Sequence, residues 1–127
     1  MAKADAPASV IDASALLALL QDENGADEVV EAISAGAGIS TVNFSEVLAK
    51  LAEHGQPAVV AVGAIHEVAE GVLRIEPFTE DDAAEAADLR PRSKAQGLSF
   101  GDRACLALAA RFELPAVTAD RYWQNLP

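Results

Sequence analysis

Four short apolar runs punctuate this chain, and helical sequence lies between them. Ser9-Val10-Ile11 is closed by Asp12, and Ala37–Thr41 follows the Gly36 turn. Val72-Leu73-Arg74-Ile75 ends at Pro77, and Pro115-Ala116-Val117 runs into Thr118-Ala119-Asp120. Such runs alternating with helices read as strands of a mostly parallel sheet, because parallel neighbours need a long crossover, usually a helix. The alternation restricts the chain to the α/β class. A length of 127 residues suits one domain over 1–127 and leaves no room for two. Residues 1–8, ahead of the first strand, are expected to be flexible.

Helices are predicted over Ser14–Leu20 and, after the Asn24-Gly25 break, over Ala26–Ser34. In a third, Phe44, Val47, Leu48 and Leu51 recur at i, i+3, i+4 and i+7, and Gly55 stops it. Pro57 opens a fourth that carries Val59, Val62, Ile65 and Val68. Thr79-Glu80-Asp81-Asp82 is a capping box for a fifth, running to about Leu89. A polar stretch over 90–97 then leads to a sixth, from near Ser99 to about Phe112.

Composition removes several classes. Apolar residues make up 51% of the chain, too many for global disorder. No wholly apolar run, Ala58–Val62 included, is long enough to span a bilayer, and the first residues lack a secretory core, so a cytoplasmic protein is expected. Cys105 is alone, which excludes an internal disulfide and a Cys-rich zinc site, and it is expected in the core. His54 and His66 form no metal-binding pattern, and neither a Gly-rich phosphate loop nor a G-x-S-x-G elbow is present. The formal charge of −11 opposes holding nucleic acid by bulk charge. That charge is uneven: residues 1–73 hold two basic and eleven acidic side chains, residues 74–127 seven and nine. Arg90, Arg92, Lys94 and Arg103 cluster in the second part, where a polyanion would bind if one does.

Four acids fall at the ends of elements. Asp12 follows the first strand, Asp120 closely follows the last, Glu46 lies one turn into the third helix, and Asp102 lies in the first turn of the sixth. In a parallel sheet these positions share the carboxyl edge, where open α/β sheets place their ligands. Helix capping is the alternative for each: Asn43-Phe44-Ser45-Glu46 and Ser99-Phe100-Gly101-Asp102 both have capping spacing, and Asp12 could cap the first helix. Four carboxylates on one rim would repel one another unless a cation neutralised them. Oxygen-only donors point to Mg²⁺ or Mn²⁺ rather than zinc.

Four segments carry a resemblance. Val10-Ile11-Asp12-Ala13-Ser14-Ala15-Leu16-Leu17-Ala18 resembles the opening of PIN domains, and Ser40-Thr41-Val42-Asn43-Phe44-Ser45-Glu46-Val47 resembles their second motif. Gly97-Leu98-Ser99-Phe100-Gly101-Asp102-Arg103-Ala104-Cys105-Leu106-Ala107-Leu108-Ala109 is similar to a phrase of the VapC toxins, PIN-domain ribonucleases of type II toxin–antitoxin pairs. Val117-Thr118-Ala119-Asp120-Arg121-Tyr122-Trp123 resembles the last motif, so the likeness spans about residues 9–123 in the family's order.

The resemblance implies a three-layer α/β/α sandwich around a mostly parallel sheet, and a Mg²⁺- or Mn²⁺-dependent endoribonuclease toxin with a cognate antitoxin. Asp12, Glu46, Asp102 and Asp120 match the family's acidic quartet, Ser14 and Thr118 its accessory hydroxyls, and Asn43 the polar residue one turn before the glutamate. On this reading Arg90, Arg92, Lys94, Arg103 and Arg121 are candidates for RNA phosphates, and Tyr122 and Trp123 for unpaired bases. The third and fourth helices would supply an antitoxin groove or a homodimer contact. Family members usually continue into a last edge strand, which this chain is expected to lack. The competing readings are a catalytically silent PIN-like module for protein interaction and, more remotely, a magnesium-dependent phosphatase.

Overall fold

β1 (Ser9–Ile11) is buried along its whole length, as a strand must be when helices cover both faces of its sheet. In this computed structural model, which describes residues 7–21, 26–69, 72–93 and 97–118, three more strands join it. They are β2 (Ala37–Ser40), β3 (Leu73–Glu76) and β4 (Ala116–Val117), and the sheet order is β3-β2-β1-β4. Every pairing is parallel. Six helices connect the strands: α1 (Ala13–Leu20), α2 (Ala26–Ser34), α3 (Thr41–Glu53), α4 (Ala58–Val68), α5 (Glu80–Ser93) and α6 (Phe100–Phe112).

The two-residue period of a strand divides the core into two layers. Ile11, Ala37, Ile39 and Leu73 point to one face, where they meet Leu16 of α1, Val29 and Ile33 of α2, Phe44 and Val47 of α3 and Ile65 of α4. Val10 points to the other face and packs with Cys105, Leu108 and Ala109 of α6. α5 lies against α6, burying Ala86. The result is an α/β/α sandwich. Connections from β1 build outward through β2 to β3, and the chain then crosses to the far edge at β4. β1 thus has neighbours reached in opposite directions, and a cleft opens at its carboxyl end. No helix among the described residues is long and apolar enough to cross a membrane.

Three expectations change. β2 ends at Ser40, one residue early, because the Ser40 side chain accepts from Val42 N at 3.1 Å and starts α3 there. α4 is rolled about its axis. Ala61 and Ile65 face the core with Ala69 beyond them, while Val59 and Val68 are 80% and 66% exposed. A helix this rich in Ala and Val carries little periodic signal, and the small Ala61 is buried where a valine is expected. α5 runs to Ser93 rather than Leu89, with Pro91 inside its last turn. Proline's fixed φ is helical, so the helix continues through Pro91 at the loss of one i→i−4 hydrogen bond. Gly55 does end α3 as expected, at φ +91°.

Candidate active site

Asp12 sits where β1 becomes α1, and both of its carboxylate oxygens are occupied by neutral donors. Oδ1 accepts from Ala15 N at 2.8 Å, capping α1, and from Ser14 Oγ at 2.9 Å. Oδ2 accepts from Thr118 Oγ1, just beyond β4, so this carboxylate ties two neighbouring strand ends together. Ser14 Oγ and Thr118 Oγ1 are 3.0 Å apart. Asp12 is 4% exposed, and burial lifts its pKa above the ordinary 3.8. Its hydrogen bonds from Thr118, Ala15 and Ser14 oppose that rise, and the charge of Asp102 adds to it.

Glu46 arrives from α3. The capping reading of Asn43-Phe44-Ser45-Glu46 fails, because Ser40 caps this helix and Asn43 already lies in its first turn. Asn43 instead joins two helices. Its Nδ2 donates to Glu46 Oε1 at 3.0 Å and to the Gly101 carbonyl of α6 at 2.9 Å. Its Oδ1 is buried and has no hydrogen-bond partner among the described residues.

Asp102 comes from α6, and here the capping reading holds. Ser99 Oγ accepts from Asp102 N at 3.1 Å, and Asp102 Oδ2 accepts from Ser99 N at 2.9 Å. Beside it, Gly101 is the seat of the Glu46 carboxylate: a Cβ there would lie 2.5 Å from Oε1 and 2.6 Å from Cδ.

These groups line one cavity of about 260 Å³, walled by Asp12, Ser14, Asn43, Glu46, Lys50 and Asp102, with Ala13 and Leu17. Lys50 escapes the sequence reading, although its signal was available: it stands four residues after Glu46 on one helix. Gly101 escapes it too, since nothing in a sequence says which carboxylate will lie over a glycine. Cys105 is buried beneath the acids, and its thiol is pushed well above its ordinary pKa by burial, then by the charges of Asp12, Asp102 and Glu46. It therefore stays protonated at neutral pH.

Among the described residues, no three His, Cys, Asp or Glu side chains converge closely enough to hold one ion between them. The donor set nevertheless fits Mg²⁺ or Mn²⁺. Hard cations take oxygen ligands, and Mg²⁺ keeps several waters while using only one or two carboxylates. Oε2 of Glu46 and Oδ1 of Asp102 accept no hydrogen bond among the described residues and remain for a ligand.

The other candidates lie elsewhere. Arg90 is exposed on α5. Arg92 belongs to α5 by its backbone, and its side chain lies outside the described residues. Arg103 faces α5, where its Nη1 donates to Ala86 O at 2.9 Å, and it does not line the cavity. Lys94, Asp120, Arg121, Tyr122 and Trp123 lie outside the described residues.

The sequence profile of the PIN domain matches residues 9–127. No curated protein matches. Solved structures do. A toxin–antitoxin complex from Klebsiella pneumoniae superposes with a TM-score of 0.71 at 22% identity, over 94% of this chain and 92% of that one. VapC20 of Mycobacterium tuberculosis, a sarcin–ricin-loop-cleaving toxin, gives 0.72 at 21%, over 91% and 93%. VapBC2 of Rickettsia felis, bound to a DNA fragment from its promoter, gives 0.70 at 12%, over 94% and 92%. At such identities these likenesses establish the fold.

Proposed function

This chain belongs to the PIN domain family, and from that premise we propose that it is a Mg²⁺- or Mn²⁺-dependent endoribonuclease, the toxin of a toxin–antitoxin pair. One observation carries the reading. Acids from the end of β1, from α3 and from α6 line a single cavity at the carboxyl edge of a parallel sheet. Support for the toxin role comes from the fold neighbours, which include toxin–antitoxin complexes and one RNA-cleaving toxin. The partners on this reading are an RNA substrate, a cognate antitoxin and a second copy of the chain, in the cytoplasm.

Asp12, Glu46 and Asp102 would hold the ion directly or through water, with Asp120 as an outer fourth acid. Bound Mg²⁺ or Mn²⁺ supplies a water of lowered pKa and neutralises charge on the phosphate. Thr118 and Ser14 hold the Asp12 carboxylate in one orientation by donating to it. Asn43 holds Glu46 by one oxygen and leaves the other for the site. With water as nucleophile, the products carry 5′-phosphate and 3′-hydroxyl ends. Arg90, Arg92, Lys94, Arg103, Arg121 and Trp123 remain candidates for RNA contacts beyond the cavity.

A specific observation also favours the catalytically silent alternative: Asp12 and Asp102 are used as helix caps. The experiment that separates the two is cleavage of a mixed RNA pool with Mn²⁺ and with EDTA, using Asp12→Ala and Asp102→Ala as controls. The ribonuclease reading expects cleavage that EDTA stops and both variants lack. Cleavage that survives EDTA, or an Asp12→Ala protein that cuts at the parent rate, would overturn it.

A further inference from the structure

Next to the acid cavity runs a second, wider one of about 580 Å³, between the N-terminal turns of α3 and α6. Its wall includes Thr41, Ser45, Glu46, Ser99, Phe100 and Gly101, so the two cavities share the Glu46 side chain. Resting on the ribonuclease reading above, we propose that this groove is a nucleobase-stacking subsite for single-stranded RNA, with Phe100 as its platform.

Phe100 is 49% exposed, in the first residue of α6, where it fills no core. It is nevertheless held. Phe78 meets it edge to face with centroids 5.6 Å apart, and the Arg103 guanidinium lies 5.6 Å from its ring centre. An aromatic ring fixed by two neighbours and still half open to water is a pre-organised surface for a planar apolar ligand. The remaining groups narrow the ligand further. Glu46 is the charged side chain of this wall, so a phosphate is disfavoured there while a neutral base is not. Thr41, Ser45 and Ser99 contribute hydroxyls, each able to donate or accept, so they meet the edge of any base without choosing one. Stacking is equally indifferent to base identity, because every base has a π-face. Sharing Glu46 puts this base immediately beside the phosphate that the acid cavity would engage. The subsite would therefore position the strand rather than select its sequence.

The test is steady-state cleavage of a single-stranded RNA with Mn²⁺, once its cut position is mapped. Phe100→Ala should raise KM about 10-fold or more, the worth of one stacked base, with kcat within about twofold. Phe100→Trp should keep the parent KM. Phe100→Leu, which still packs against Phe78, should behave like Phe100→Ala. An RNA with an abasic ribose beside the cut bond should lose the same factor with the parent and nothing further with Phe100→Ala. Equal KM for parent and Phe100→Ala overturns the subsite, as does full recovery by Phe100→Leu. If the parent cuts no RNA with either metal, the ribonuclease reading fails on its own. The subsite is then judged by anisotropy on the uncut RNA with Mg²⁺. A Kd weakened by Phe100→Ala and kept by Phe100→Trp upholds it, and an unchanged Kd or no binding by the parent overturns it.

Discussion

Replacing Gly101 by alanine should separate folding from catalysis in this protein. The added methyl would lie 2.5 Å from Glu46 Oε1 and 2.6 Å from Cδ, whereas ordinary contact begins near 3.4 Å. The carboxylate must therefore retreat by about 1 Å. It is free to do so, because Glu46 is exposed and its carboxylate is the far end of a flexible side chain. The fold loses one hydrogen bond, from Asn43 Nδ2 to Oε1, worth about 1 kcal/mol. It regains a similar amount, since alanine is favoured over glycine within a helix by about 1 kcal/mol. The melting temperature should accordingly stay within about 4 °C of the parent. Activity should not. A misplacement of about 1 Å can cost about 100-fold in rate, equivalent to about 2.7 kcal/mol of barrier. The assay is single-turnover RNA cleavage at saturating Mn²⁺, beside a thermal melt of the same preparation. A Gly101→Ala protein that melts like the parent and cuts at the parent rate would refute the claim that Glu46 must lie over α6 to act.

Three further outcomes follow from the same geometry. Asp12 has a folded pKa above its unfolded one, so ionising it costs stability: in metal-free protein, stability is lost as pH rises from about 3.8 through the raised value. Asp12→Asn should remove that loss, melt at or above the parent near pH 7 without metal, and show no stabilisation by Mg²⁺; a parent melt equally indifferent to Mg²⁺ and EDTA would refute it. Thr118→Val deletes a donor to the Asp12 carboxylate, so the acid limb of the pH–rate profile should move to higher pH, and an unmoved limb counts against Thr118 as the orienting group. Arg111→Ala leaves Asp82, with a side chain 2% exposed, without the guanidinium 3.1 Å away, and should cost about 2 kcal/mol in a urea melt while sparing the cleavage rate of the folded protein.

The elements were legible where local chemistry is decisive. β1 lies where Ser9-Val10-Ile11 placed it, and the Ser99–Asp102 box starts α6 because both of its hydrogen bonds form within four residues. What failed depended on packing at a distance or on a competing local cap. The inward face of α4, with Ala61 and Ile65 buried, is set by its packing on the rest of the fold, which a sequence so rich in Ala and Val does not encode. The second capping box was a coincidence of spacing, since Ser40 had already started α3 and left Asn43 to reach α6 instead. The same boundary explains the site. Acids can be counted along the chain, but their shared cavity is a property of the strand order, in which β1 has β2 on one side and β4 on the other. Gly101 became visible only once Glu46 had a direction.

Capping and metal holding, set against each other in the sequence, are compatible in the structure. A carboxylate fixed by a lysine or arginine is oriented and neutralised at once, which spoils it as a cation ligand. Here the orienting groups are neutral: a backbone N–H and two hydroxyls for Asp12, an amide for Glu46, a backbone N–H for Asp102. Among the described residues, no ion pair involves any of the three; the partner of Lys50 is Glu53, at 3.7 Å. The helix N-termini at Asp12 and Asp102 add a favourable field of partial charge, enough to orient an anion without cancelling it. The three acids thus meet in a confined space with no ion pair among the described residues to cancel them. The mutual repulsion that this entails, visible in the contribution of Asp102 to the raised pKa of Asp12, is relieved most directly by a bound cation.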